Sequence, residues 1–195
     1  MRIAAITRNT NETKIELSIN LDGNAKQSQI DTGVGFLDHM LTLFAYHGSF
    51  ELNLKCVGDT HVDFHHTVED IAIVLGQAFL EALGDKKGIK RYGSMLLPMD
   101  EALAQVALDI SGRPFFVWDV DFVNKRIGEF DTELGEEFFR ALAYNAGITL
   151  HIHMISGNNS HHILEAIFKG VARALKTAVK VQAGEKDVPS TKGIL

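Results

Sequence analysis

The segment His65-His66-Thr67-Val68-Glu69 returns in the second half of the chain as His161-His162-Ile163-Leu164-Glu165. Two copies of H-H-x-x-E constrain the fold strongly because the stretches around them match as well. Glu12 opens E-T-K-I-E-L-S-I-N-L-D-G, and Glu101 opens E-A-L-A-Q-V-A-L-D-I-S-G. Ile15, Leu17, Ile19 and Leu21 in the first, and Ala104, Val106, Leu108 and Ile110 in the second, alternate with the period of a half-buried strand. Helix-like stretches run from Asp38 and from Glu136. Aligning Ala45-Tyr46 with Ala143-Tyr144 sets His39 opposite Glu137. A further alternating strand follows in each half (Phe50, Leu52, Leu54, Cys56; Ile148, Leu150, Ile152, Met154). A polar turn then leads into H-H-x-x-E and a long amphipathic helix, with Ile71, Val74, Leu75, Ala78 and Phe79 striping one copy and Ile167, Val171, Ala174 and Leu175 the other. Phe115 to Phe122 is the best candidate for the second strand of the later repeat.

Each half therefore reads strand–strand–helix–strand–helix. The fold class is α/β of the α+β kind: two duplicated halves, residues 1–92 and 93–182, with helices packed between two mixed sheets. One half alone exposes too much apolar surface, and burying the helices of both halves against each other resolves this. Residues 183–195 are polar, contain Pro189 and read as an irregular tail.

Composition removes several function classes. A net charge of −6 without a long Lys/Arg run argues against nucleic acid. No apolar run approaches a membrane span, no secretory signal is evident, and the single Cys56 leaves no intrachain disulfide. The setting expected is reducing and cytoplasmic.

On a helix, the second His and the Glu of each motif lie three residues apart and the first His and the Glu four apart, so either pair can share a face, while the adjacent histidines diverge by about 100°. One motif can therefore feed two metal centres. Imidazole and carboxylate without thiolate suit Mn, Zn, Fe or Ni better than an all-oxygen Mg or Ca site. A single H-H-x-x-E is ordinarily a surface helix start; two copies in register favour metal binding. Asp59, His61 and Asp63 are open between direct ligation and hydrogen bonding to ligands. His47 stands opposite Asn145, which favours hydrogen bonding, and His151 and His153 lie on the polar face of a strand. Arg91, Arg113 and Lys169 are basic residues beside turns or on a motif helix. Ser190, Thr191 and Lys192 offer the donors that hold a phosphate.

Further stretches carry a resemblance: T-G-V-G-F-L-D-H-M-L from Thr32, G-D-T-H-V-D-F-H-H-T-V-E-D from Gly58, P-M-D-E-A-L from Pro98, D-I-S-G-R-P from Asp109, N-S-H-H-I-L-E-A-I-F-K from Asn159 and P-S-T-K-G near the end. In order and over nearly the whole chain, they resemble the imidazoleglycerol-phosphate dehydratase family of histidine biosynthesis. The resemblance implies a hydro-lyase that turns D-erythro-imidazoleglycerol phosphate into imidazole acetol phosphate. It implies two Mn2+ per active site and sites shared between subunits of a homo-oligomer of 24 chains. It implies His39, His65, His66, Glu69, His161, His162 and Glu165 as metal ligands and Glu12 as the acid–base residue. It also implies Arg91, Arg113, Lys169, Ser190 and Lys192 as substrate or phosphate contacts. Family members often carry His where this chain has Glu137; Glu137 is expected to ligate in its place.

The implied chemistry needs such a site. The proton to be lost sits on a carbinol carbon with no adjacent carbonyl, but the leaving hydroxyl is on the carbon attached to the imidazole. If metals bind the ring nitrogens they would favour imidazolate, whose electron density would expel the hydroxyl to a diazafulvene-like species with an acidified neighbouring C–H. Two alternatives compete: a dinuclear phosphoester hydrolase, which would release inorganic phosphate, and a non-enzymatic metal-binding oligomer, which would have no use for the basic residues.

Overall fold

A computed structural model describes residues 1–195. The first half contains strands β1 (Ile3–Asn9), β2 (Thr13–Asn20), β3 (Gln29–Asp31) and β4 (Glu51–Gly58), with helices α1 (Gly35–Gly48) and α2 (His65–Leu83). The second contains β5 (Tyr92–Met99), β6 (Ala102–Asp109), β7 (Phe115–Asp119) and β10 (Thr149–Ser156), with α3 (Glu133–Ala146) and α4 (Ser160–Ala178). The sheets have matching orders, β1-β2-β4-β3 and β5-β6-β10-β7. In both, three strands run antiparallel and the last pairs parallel, β3 on β4 and β7 on β10. The expected strand–strand–helix–strand–helix order is present twice, and each copy is preceded by one further strand, β1 or β5. The second half also carries an insertion absent from the first, a small hairpin of β8 (Arg126–Ile127) and β9 (Phe130–Asp131).

The alternation read from the sequence produces the inner faces of the sheets. Ile15, Leu17 and Ile19 of β2 and Leu52, Leu54 and Cys56 of β4 are all buried, as are Ala104, Val106 and Leu108 of β6. The helices lie between the sheets and pair across the halves, α1 on α4 and α2 on α3, while α4 also lies broadly against β5 and β6 and α2 against β1 and β2. Gly76 permits the α2–α3 approach, since a Cβ there would lie 2.8 Å from the Leu142 carbonyl oxygen. The buried apolar residues of both halves merge into one cluster, running from Ala4 to Val179. No helix is long and apolar enough to cross a membrane.

The ends of these helices are set locally. α1 stops at Ser49 and α3 at the equivalent Gly147, both in the left-handed region (φ 56° and 65°), with their N–H groups bonded back to Ala45 and Ala143 carbonyls. The tail is irregular, as expected, and is tied to the loop before β5: the Gly88 N–H donates to the Asp187 carbonyl at 3.0 Å.

Candidate functional site

Each H-H-x-x-E copy opens a helix whose first N–H is held by a side chain, from the N-cap residue only in the second copy. The Asp63 carboxylate accepts from the His65 N–H at 2.8 Å. Its repeat equivalent Asn159 accepts from the N–H groups of His161 at 2.9 Å and His162 at 3.4 Å. The first His and the Glu of each copy then meet one turn apart: His65 Nε2 lies 4.0 Å from Glu69 Oε2, and His161 Nε2 lies 3.3 Å from Glu165 Oε2.

A third group arrives from the opposite half. His39 on α1 places Nε2 3.9 Å from Glu165 Oε2, and Glu137 on α3 joins His65 and Glu69. Within each trio, His39/His161/Glu165 and His65/Glu69/Glu137, the donor atoms lie within 4.8 Å of one another. Ligands about 2.1 Å from a shared ion stand at most about 4.2 Å apart. Sub-ångström closure would therefore seat a divalent ion in either trio, and the donor set fits the metal chemistry that the sequence implies. The crossing of α1 onto α4 and of α3 onto α2 assembles the trios, so neither half builds one alone.

The second histidines turn away. The His65 and His66 rings are inclined at 89° and the His161 and His162 rings at 81°, with centroids 6.3 Å apart in each pair. His66 and His162 join neither trio. Each ring is instead held through Nδ1 by a carboxylate, Asp59 at 3.0 Å and Glu101 at 2.8 Å. Such a partner fixes ring and tautomer and leaves Nε2 as the available donor atom. The same hydrogen bonds, from Asp59 and from Glu101, are the main causes that raise the pKa of His66 and His162 above the ordinary value. In return His162, then the N–H groups of Asn159 and Asn158, hold the Glu101 carboxyl down to about 2. Glu12, the repeat equivalent of Glu101, is exposed at the β1–β2 turn with Oε1 3.7 Å from His66 Nε2.

A cation sits beside each trio. Lys169 donates a very short hydrogen bond to Glu165, one turn below it on α4. Burial alone would push the Glu165 carboxyl up, but Lys169, His161 and His39 outweigh it and keep the pKa below the ordinary value. Arg140 places Nη1 2.9 Å from both Glu137 oxygens and Nη2 2.9 Å from Glu136.

The remaining basic residues gather elsewhere. Arg91, at a positive φ of 74°, grips Asp109 with Nε at 2.7 Å and Nη2 at 3.0 Å, and donates from Nη1 to the Pro189 carbonyl at 2.9 Å. Arg113 is exposed, and its guanidinium makes one long bond, 3.4 Å, to the Ser111 carbonyl. The chain end returns to this turn, so that a Cβ on Gly112 would lie 2.8 Å from the Leu195 carbonyl carbon. Ser190 accepts from the Lys192 N–H at 3.2 Å, and Lys192 is exposed. The Arg91 N–H meets the Ala178 carbonyl at the end of α4. At 1.5 Å per residue that end is roughly 25 Å from His161. Within one chain, therefore, Lys169 stands at a trio, whereas Arg91, Arg113, Ser190 and Lys192 cluster at the far end of the same helix.

Of the open residues, Asp59 holds His66, Asp63 accepts from the His65 N–H at the start of α2 and His61 is exposed in the turn. His153 bonds Asp119 at 3.0 Å and His151 stacks on Phe115, and neither joins a trio. The hydrogen bond expected of His47 is not made at Nδ1, which is buried without a partner; burial, then Arg173 and Lys169, lower its pKa. Sequence reasoning assigned no role to Glu101 or Arg140. The position of Glu101 opposite Glu12 in the repeat was the available signal, whereas Arg140 had none.

An α+β fold with two sheets of matching strand order, carrying two histidine–carboxylate clusters, defines the class. The model of the family described as imidazoleglycerol-phosphate dehydratase matches residues 32–175. The chain is 58% identical over 196 residues to the imidazoleglycerol-phosphate dehydratase of Azorhizobium caulinodans, covering 100% of this chain and 99% of the relative. It is 54% identical over 195 residues to that of Oceanobacillus iheyensis, with 100% of each chain covered. Its structure is similar to the crystal structure of the Staphylococcus aureus enzyme, with a TM-score of 0.84 and 48% identity over 92% of this chain and 99% of that one. It is also similar to the Pyrococcus furiosus enzyme in complex with (S)-C348, with a TM-score of 0.83 and 38% identity over 97% and 100%. The chain belongs to the imidazoleglycerol-phosphate dehydratase family, a family of hydro-lyases.

Proposed function

We propose that this chain dehydrates D-erythro-imidazoleglycerol phosphate to imidazole acetol phosphate in cytoplasmic histidine biosynthesis, using two divalent ions per site, Mn2+ by preference. The observation that carries the reading is the crossing of the two halves, which gives each trio two donors from one half and the third from the other. His39, His161 and Glu165 would hold one ion, and His65, Glu69 and Glu137 the other. Bound there, the ions supply Lewis acidity toward the substrate's imidazole.

The protein's own residues carry the rest of the chemistry. The reaction breaks the C–O bond next to the ring and removes the proton from the adjacent carbinol carbon; the resulting enol becomes the ketone. Glu12 is the acid–base group proposed for that proton, with its carboxylate beside His66. Asp59 and Glu101 keep His66 and His162 oriented, with Nε2 free for a ligand. Arg113 and Lys192 have unspent donors for the phosphate, while Ser190 and the Asp109-bound Arg91 shape its pocket. Anchoring the phosphate supplies remote binding energy and orientation to the reacting carbons.

The roughly 25 Å between that basic cluster and the trios supports sites completed across subunits of a homo-oligomer, of 24 chains by resemblance. The phosphate grip of one chain would serve the trios of its neighbours, as would His66 and His162. Product analysis tests the reading. Imidazole acetol phosphate formed without inorganic phosphate supports it, whereas released phosphate with an intact triol favours hydrolysis.

A further inference from the structure

The two trios are repeat equivalents at two positions and differ at the third. His65 and Glu69 on α2 match His161 and Glu165 on α4, but His39 on α1 stands where Glu137 stands on α3. One trio therefore offers two imidazoles and a carboxylate, and the other offers one imidazole and two carboxylates. The neighbouring cations do not erase the difference. Lys169 offsets the single carboxylate of the first trio, leaving it formally neutral. Arg140 is shared between Glu137 and Glu136, so the second trio retains a negative balance. Arg140 already reaches Glu136 through Nη2 at 2.9 Å and can keep that contact if Glu137 turns to an ion.

We propose that the two centres have different metal preferences, and that the chain loads them stepwise and can hold two different ions at once. The α1/α4 trio is the nitrogen-rich centre, and the α2/α3 trio is the oxygen-rich one. Imidazole is a softer donor than carboxylate, so exchanging one for the other steepens the preference for Zn2+ or Ni2+ over Mn2+. Extra negative charge and oxygen donors favour Mn2+, and admit Mg2+, at the α2/α3 trio. If a neighbour adds one imidazole to each centre, the one-ligand difference persists. The inference rests on the reading of the trios as metal centres.

The test uses the full assembled protein, stripped with a chelator and reloaded. Mn2+ binding is followed by calorimetry and by loss of the free-ion electron paramagnetic resonance signal, and Zn2+ is then titrated into the Mn2+-loaded form. The expected result is two Mn2+ per chain and biphasic displacement, with one Mn2+ leaving at a Zn2+ concentration about tenfold or more below the other. Glu137→His is expected to merge the two phases by making the second trio nitrogen-rich, and His39→Glu to merge them by removing the early phase. Two ions displaced in one phase from the parent protein would overturn the inequality while leaving the metal centres standing. Absence of any bound ion would overturn the metal-centre reading itself. If a variant fails to fold, the parent displacement curve decides alone.

Discussion

Gly93 on β5 faces α4 so closely that a Cβ would lie 1.9 Å from the Ala174 carbonyl oxygen and 2.8 Å from its carbon. Both are backbone atoms, so no side-chain rotation relieves the contact. An ordinary separation near 3.4 Å requires β5 or α4 to move by roughly 1.5 Å. Overpacking of that kind costs about 1–3 kcal/mol, and rigid walls on both sides place Gly93→Ala near 3 kcal/mol. For a chain of this length that lowers the thermal midpoint by on the order of 6–12 °C. The repeat provides an internal control. Gly93 pairs with Leu108 as Ala4 pairs with Ile19, so the same place in the first half already carries a buried methyl. Ala4→Gly is expected to cost only about 1 kcal/mol, through lost burial and added backbone freedom. Thermal melts of both variants at fixed protein and metal concentration make the comparison. A Gly93→Ala midpoint within about 2 °C of the parent would refute the argument that backbone contact at Gly93 sets the seat of α4, and with it the placement of His161 and Glu165.

Three further outcomes are expected. Asp70 is buried, accepts from Thr13 and pairs with Arg8 at 3.0 Å, so Asp70→Ala should cost about 2–3 kcal/mol in urea unfolding, less than a fully buried pair because Arg8 still reaches solvent; no change in midpoint would contradict this. The Glu101 carboxyl is depressed from 4.5 to about 2, so its contribution to stability is complete above pH 4.5 and is lost as pH falls toward 2. Glu101→Gln should flatten stability against pH in that window, and an unchanged profile would count against the His162–Glu101 bond. Shared sites predict complementation: Arg113→Ala and His161→Ala, each inactive alone, should regain turnover when dissociated and reassembled together, and persistent inactivity of the mixed assembly would argue for self-contained sites.

Much of this architecture could be read from the repeat. The inner strands β2, β4 and β6, and β10 as far as Ile152, alternate because one face of each is buried, and the Ala45-Tyr46/Ala143-Tyr144 register alone sets His39 opposite Glu137. The edge strands were hidden for a physical reason. In β1 only Ala4 is buried, and in β5 only Gly93 and Leu97 are, with Pro98 near the open edge, so neither shows the period of a buried face. β7 ends at Asp119, short of the expected Phe122, and the β8–β9 hairpin has no counterpart to align with. Periodicity shows that α1 has an apolar face but not which helix covers it, so the exchange of partners that builds the trios lay beyond the sequence. The separation of the Arg91–Lys192 cluster from the trios was equally invisible, since nothing in the sequence shows that Arg91 docks at the Ala178 end of α4, opposite His161.

The most direct test of the account is turnover of imidazoleglycerol phosphate by chelator-stripped protein to which Mn2+ is returned in measured steps. Activity should vanish with the metal and recover as bound Mn2+ rises toward two per chain. Full turnover by protein with no detectable bound metal would contradict the role given to His39, His161 and Glu165 and to His65, Glu69 and Glu137.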